Sequence, residues 1–353
     1  MSPGASLPFQ SANRRWLVPV VLVLAAAFAL HFGRRSLSPD APALVVYCAH
    51  DAVFAEAILR DFEKQSGIAV VVRYDSEATK SLGFVNLLIQ EKENPQCDVF
   101  WNNELLGTCE LQEQQVLAPY SGPGFERIPE RYKDPGGHWT GFAARLRVYI
   151  VNTDRCPVDE VAIESRLEGK DDLARVTIAQ PLFGTTLTQY TLLWHEWGEA
   201  RCRDWHNDLR KRGIREVKGN AATRSLVADG ACDFGFTDSD DYFGAKDEGK
   251  PVAALPVRVN GKTICIPNSV AIIRGTRQIE NAQKLVDYLL SAEIELRLAN
   301  SESRQIPLGP TDTDKVPEEL RPLVDWAAEG ADLRPLLPAR QAVIRWLKSE
   351  YLR

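Results

Sequence analysis

Short β-branched runs alternate with amphipathic stretches of about 12–15 residues, and this alternation occurs twice along the chain. The pattern confines the chain to strand–helix–strand units, in which the helices are crossovers between parallel strands. The first series opens with Leu44-Val45-Val46-Tyr47. From Ala52 to Ser66 the residues Ala55, Ile58, Leu59 and Phe62 share one helical face, and Gly67 stops the helix. Ile68 to Val72 reads as a strand. A second helix carries Leu82, Val85, Leu88 and Ile89 up to Pro95, and Cys97 to Trp101 makes the third strand. The second series restarts at Val176-Thr177-Ile178-Ala179 and runs through Ile214-Arg215-Glu216-Val217 to Cys232-Asp233-Phe234-Gly235-Phe236. Between the two, Arg145 to Asn152 reads as a strand crossing from one half to the other. Ile264 to Ile273 crosses back, and a helix from Gln278 to Leu290 rejoins the first half. At 353 residues the chain is long enough for two lobes, each with its own core.

The flanks differ from this pattern. Arg14 and Arg15 precede an apolar run from Trp16 to Phe32, and Arg34 and Arg35 come after it. That order describes an export signal, with Ala27-Phe28-Ala29 as a small-x-small cleavage site, or, if retained, a membrane anchor contacting the bilayer through 16–32. Either way the folded part is expected outside the cytoplasm, in the periplasm or cell envelope. Residues 1–35 are therefore set apart, with 36–43 as a linker. The tail 316–353, with Trp326 and Trp346 in helical patterns, is expected to pack on the lobes.

Composition removes several function classes. A net charge of −6 gives no electrostatic case for nucleic acid. The seven cysteines form no C-x-x-C pair and are read as small buried core residues, with their pairing left open. Gly244 to Lys250 has P-loop spacing, but Pro251 replaces the magnesium-binding hydroxyl and no strand leads into it. His195-Glu196-Trp197-Gly198-Glu199 lacks the second histidine of a zinc-protease helix. Asp238-Ser239-Asp240 opens like a calcium loop, but Tyr242 and Gly249 occupy later ligand positions. No G-x-S-x-G elbow is present. A binding protein, without catalytic residues or an organic cofactor, is the expectation.

Ligands of parallel α/β sheets sit beyond the carboxyl ends of the strands, where loops enter helices. The loops at the strand ends therefore locate the candidate site. In the first half these loops are His50-Asp51, then Asp75-Ser76-Glu77-Ala78-Thr79, then Asn102-Asn103-Glu104. In the second half they are Pro181-Leu182-Phe183-Gly184-Thr185-Thr186, Gly219-Asn220, and Thr237-Asp238-Ser239-Asp240-Asp241-Tyr242. Hydroxyls and free N–H groups at helix starts suit an oxyanion, while clustered carboxylates suit a cation or amine. Singly, Asp51, Thr79, Thr186 and Asp241 are also ordinary helix-capping types. Together the loops imply a shared cleft.

With these loops in hand, the chain resembles the iron-type branch of the bacterial extracellular solute-binding proteins. The resemblance rests on Val45-Val46-Tyr47 with His50 close behind, Phe62-Glu63-Lys64-Gln65-Ser66-Gly67-Ile68, and Asp98-Val99-Phe100-Trp101. It continues through Gly141 to Val148, Lys218-Gly219-Asn220, Pro267-Asn268-Ser269-Val270-Ala271, and Leu285 to Ser291. It covers about residues 44 to 310, in order. It implies an α/β, type II periplasmic-binding-protein fold with two crossover strands. Lobe 1 would be 44–144 and 270–315, and lobe 2 would be 145–269. It also implies a monomeric partner of an ABC-transporter permease and ATPase, capturing ferric iron with an oxyanion such as phosphate.

In ferric-binding relatives the metal is held by a histidine, a glutamate and two adjacent tyrosines, with a bound anion. By resemblance the histidine position falls at His50 or Asp51 and the glutamate position at Asn103 or Glu104. The anion loop falls on Gly184-Thr185-Thr186, with Asn220 as a further contact. The tyrosine pair falls within Asp238-Ser239-Asp240, where only Tyr242 remains nearby. The expected metal ligands are thus His50, Asp51, Glu104, Asp240, Asp241 and Tyr242. Glu77, Thr79, Asn103, Arg145, Gly184, Thr185, Thr186, Asn220 and Asp238 are expected to hold the anion or solute. Replacement of the tyrosine pair leaves a phosphorylated or polyol-type solute, or a membrane-tethered sensory module, as alternatives.

Overall fold

The structure, a computed structural model, describes residues 42–75 and 82–352. The leader, nearly all of the linker, Glu77 and Thr79 therefore lie outside the described residues. Along the first half run β1 (Leu44–Cys48), α1 (Ala52–Ser66), β2 (Val70–Tyr74), α2 (Leu82–Gln90), β3 (Val99–Asn102), α3 (Leu106–Glu113), β4 (Leu117–Ala118) and the short α4 (Pro123–Arg127). β1 pairs in parallel with β2 on one side and β3 on the other. On α1 the residues Ala55, Ile58, Leu59 and Phe62 are buried, and Gly67 ends the helix at φ +71°, where its N–H reaches the Glu63 carbonyl. A Cβ would strain that left-handed turn; glycine carries none. Burial of each such leucine- or phenylalanine-sized side chain contributes about 1.5–3 kcal/mol.

β5 (Thr140–Asn152) is the long crossover, buried along its whole length. Past it come α5 (Glu160–Glu168), β6 (Val176–Ala179), α6 (Gly184–Trp197), α7 (Glu199–Lys211), β7 (Arg215–Val217), α8 (Asn220–Ala228), β8 (Phe234–Asp238), α9 (Ser239–Asp247) and β9 (Val252–Pro256). A small hairpin, β10 (Arg258–Val259) with β11 (Lys262–Thr263), leads into the returning strand β12 (Cys265–Ile273). The chain closes with α10 (Ile279–Leu289), α11 (Ala292–Ala299), α12 (Arg321–Ala328) and α13 (Leu337–Tyr351). The strands run in the order β2-β1-β3-β12-β5-β8-β6-β7. The early half of β5 pairs with β12, and the later half pairs with β8 and β9.

A bulge sits where β5 passes between the two sets of strands. Pairing with β12 skips Ala143, which adopts φ +42°, a conformation a residue with a Cβ rarely takes. The neighbourhood holds it there: Glu295 accepts the Ala143 N–H at 2.8 Å, and the Asn268 amide donates to its carbonyl. The bulge immediately precedes Arg145 and Arg147, which share one face of the strand. α13 packs against α6, and Arg340 and Gln341 of α13 both reach Glu110 of α3. The seven cysteines are free thiols, six of them buried. Among the described residues no helix is long and apolar enough to cross a membrane.

Candidate functional site

The helices α6, α8 and α9 each start at the end of a strand in the second half, so their N-termini converge on one cavity of about 310 Å³. Free N–H groups and the helix dipoles make such an arrangement receptive to anions. Gly184 opens α6 at φ +56°, with open space where a Cβ would stand. Thr185, Thr186, Gly219 and Asn220 line the same side. From the first half Asp51 and Asn103 face across. Asp51 occupies the N-cap position of α1 but makes no side-chain capping bond there.

Two arginines from β5 form the floor. Arg147 is fully buried, and its Nη1 donates to Asp238 Oδ1 at 2.8 Å, to Asn220 Oδ1 at 3.2 Å and to Thr185 Oγ1 at 3.4 Å. Its Nε donates to Gln189 Oε1 at 3.0 Å. Asp238 also accepts from Thr185 Oγ1 at 2.6 Å and from Asn220 Nδ2 at 2.9 Å. The Thr185 hydroxyl proton is therefore committed to the scaffold. Thr186 is held more loosely, 3.3 Å from Asn220 Oδ1.

Arg145 reaches in both directions. It donates to the Asn103 carbonyl and to Asn268 Oδ1, each at 3.3 Å, and its Nε lies 3.5 Å from Asp240 Oδ2. Burial opposes its charge, but Asp240, then Asp238, Asp51 and Asp241, more than offset that and keep it protonated.

Asp238, Asp240 and Asp241 bring carboxylate oxygens within 4.8 Å of one another. Burial, then repulsion from Asp240 and Asp238, pushes the Asp241 carboxyl up to about 7, although it accepts from Thr237 Oγ1 at 2.6 Å. A cation or a hydroxyl donor beside these carboxylates would relieve the repulsion.

The site brings together Asp51, Asn103, Arg145, Gly184, Thr185, Thr186, Asn220, Asp238, Asp240 and Asp241. Three expected ligands do not line it. Glu104 turns back on its own helix, accepting the N–H groups of Leu106 and Gly107 at 2.7 Å each. Gly107 makes that fold-back possible, since a Cβ there would meet the Glu104 carboxylate at 2.5 Å. His50 is buried, stacked on Trp101 with ring centroids 5.2 Å apart, and its Nδ1 lies 3.5 Å from Arg145 Nη2. Tyr242 packs its ring on Phe243 at 4.9 Å, in an apolar cluster. Residues absent from the expected set also take part: Gln180, Phe183 and Lys218 line the cavity, and Arg147 anchors it from beneath. The Arg145-Leu146-Arg147 alternation is the sequence signal for Arg147, because i and i+2 of a strand share a face.

The family model for the bacterial extracellular solute-binding protein matches residues 44–298. The chain belongs to that family, whose members work outside the cytoplasm. An uncharacterized protein of Haemophilus influenzae is 28% identical over 280 residues, covering 74% of this chain and 77% of that protein. A Fe(3+)-binding periplasmic protein of Serratia marcescens is 29% identical over 136 residues, 38% of each chain. Iron-bound HitA from Pseudomonas aeruginosa superimposes with a TM-score of 0.72 at 19% identity, covering 86% of this chain and 99% of that one. AfuA from Actinobacillus pleuropneumoniae, bound to fructose-6-phosphate, superimposes with a TM-score of 0.67 at 20% identity, covering 87% and 98%. These likenesses establish the two-lobed fold that the sequence resemblance implied.

Proposed function

We propose that this chain is the extracytoplasmic capture component of an ABC importer, delivering its ligand to a permease and an ATPase, and that its cleft takes ferric iron together with an oxyanion. The observation that carries this reading is the placement of a carboxylate cluster beside an oxyanion cradle in one cavity. Hard cations favour oxygen donors. Asp240 and Asp241 supply them from one side and Asp51 from the other, while Asp238 is committed to Arg147, Thr185 and Asn220. The anion, phosphate or a carboxylate chelator, meets the N-termini of α6 and α8, the Thr186 hydroxyl and Arg145. Its charge reconciles a cationic cargo with a nearby arginine. The Serratia relative supports the metal. The protein binds without turnover: ferric citrate, sugar phosphates and phosphonates are returned unchanged.

A second reading, a phosphorylated polyol, is favoured by the two buried arginines and by the places taken by His50, Glu104 and Tyr242. Here the helix N-termini take the phosphate, and sugar hydroxyls donate to Asp240 and Asp241. The AfuA neighbour supports it. Isothermal titration with ferric citrate and with a sugar-phosphate panel, on wild type and Asp240→Asn, separates the two. Ferric binding lost in the variant, with no response to sugars, is the expected result. Sugar-phosphate binding without ferric binding refutes the iron assignment and leaves the importer assignment standing.

A further inference from the structure

The second half of the chain carries another cavity, of about 400 Å³, whose lining shares no residue with the cleft. That volume is in the range of small-molecule sites. Its walls are aromatic: Tyr149 of β5 and Phe236 of β8 have ring centroids 4.9 Å apart. Trp205 continues the wall 6.2 Å from Phe236, and Trp197 stands 5.8 Å beyond it.

Facing these rings, α5 presents Glu160, Glu164 and Glu168, spaced i, i+4, i+8 on one helical face. Arg258 engages Glu160 at 3.2 Å, whereas Glu164 and Glu168 have no ion pair among the described residues. Burial, then Glu160 and Glu168, raises the Glu164 carboxyl above its ordinary value, and the Arg258 charge only partly opposes this. Arg201, the other cation of the lining, lies over the Trp197 ring at 4.5 Å.

An independent feature points the same way. Gln189 lines the cavity and is 1% exposed. Its Oε1 is taken by Arg147, while its amide NH2 has no hydrogen-bond partner among the described residues. Because Gln189 lines the cavity, a ligand acceptor there would pair with that amide. The cavity therefore combines aromatic side chains, two carboxylates outside any ion pair and one amide donor.

We propose that this cavity is a second binding site, for a small organic ammonium ion that also carries a hydrogen-bond acceptor. The ammonium group lies between the aromatic wall and Glu164 and Glu168, where ring quadrupole and carboxylates attract it together. Its hydroxyl or carbonyl oxygen accepts from Gln189.

Choline is the probe. Calorimetry and tryptophan fluorescence of the full chain compare it with its carbon isostere, in which a neutral tert-butyl group replaces trimethylammonium. Choline binds saturably and the isostere does not. Glu164→Gln and Glu168→Gln, exposed positions whose folding circular dichroism checks, each weaken choline by about fivefold. Asp240→Asn in the cleft leaves choline affinity unchanged, so the result is independent of what the cleft captures. Absence of saturable choline binding, equal binding of the isostere, or affinity unaltered in both glutamate variants overturns the proposal. Choline binding abolished by Asp240→Asn also overturns it, because the cation would then sit in the cleft.

Discussion

Replacing Asp238 by alanine tests how the cleft is built. Arg147 is fully buried and Asp238 is 4% exposed, so their ion pair is closed off from water. The carboxylate takes Arg147 at 2.8 Å, Thr185 at 2.6 Å and Asn220 at 2.9 Å. Alanine strips the guanidinium of its counter-charge, takes away the acceptor of the Thr185 hydroxyl and leaves the Asn220 amide only Thr185 Oγ1 at 3.0 Å. Truncating one partner of a buried pair costs about 3–5 kcal/mol, chiefly because the other charge stays buried. Removing both charges, as Arg147→Met with Asp238→Leu, costs less than the single change. The assay is urea unfolding of wild type and these variants, comparing midpoints at constant slope. An Asp238→Ala protein within about 1 kcal/mol of wild type refutes the argument, because exposed pairs contribute no more than about that. A double variant much less stable than the single refutes it as well.

Asp241 makes stability and binding depend on pH. Its carboxyl is raised to about 7 in the folded chain, so between about 4 and 7 the folded state keeps a proton that the unfolded state has lost. Stability of the ligand-free chain from this group therefore falls as pH rises across that window and levels off above it. Urea melts at pH 5 and pH 8 check the sign, and a bound cation abolishes the slope by displacing the proton. Thr186→Ala weakens the anion by about 1.5–3 kcal/mol, since its hydroxyl is loosely held and can turn to a charged acceptor, and titration with phosphate reads this. Glu104→Gln lowers the melting temperature but leaves ferric citrate affinity unchanged, because that carboxylate serves α3 rather than the cleft. An affinity loss in Glu104→Gln without a stability loss reverses its assignment.

The framework is legible in the sequence because hydrophobic period and strand-end position are local properties. Ala55, Ile58, Leu59 and Phe62 sit on the buried face of α1, and Gly67 ends it. The loops after β6, β7 and β8 converge on the cleft because parallel strands deliver their C-terminal ends to one side. What escapes the sequence depends on side-chain direction. Position in a loop points Glu104 to the cleft, but its carboxylate folds back onto the N–H groups of Leu106 and Gly107. His50 comes after β1 as expected, yet it stacks on Trp101 while its neighbour Asp51 faces the cavity. In the sequence Arg147 is only part of a crossing strand. Its role depends on β8 ending at Asp238, directly opposite it in the β5–β8 register, two residues beyond the expected strand end.

Native mass spectrometry with metal analysis on the protein purified from its native source reads the cargo directly. The expected result is one iron and one oxyanion per chain, both absent when Asp240 and Thr186 are replaced by asparagine and alanine. A metal-free chain carrying the mass of an organic phosphate contradicts it.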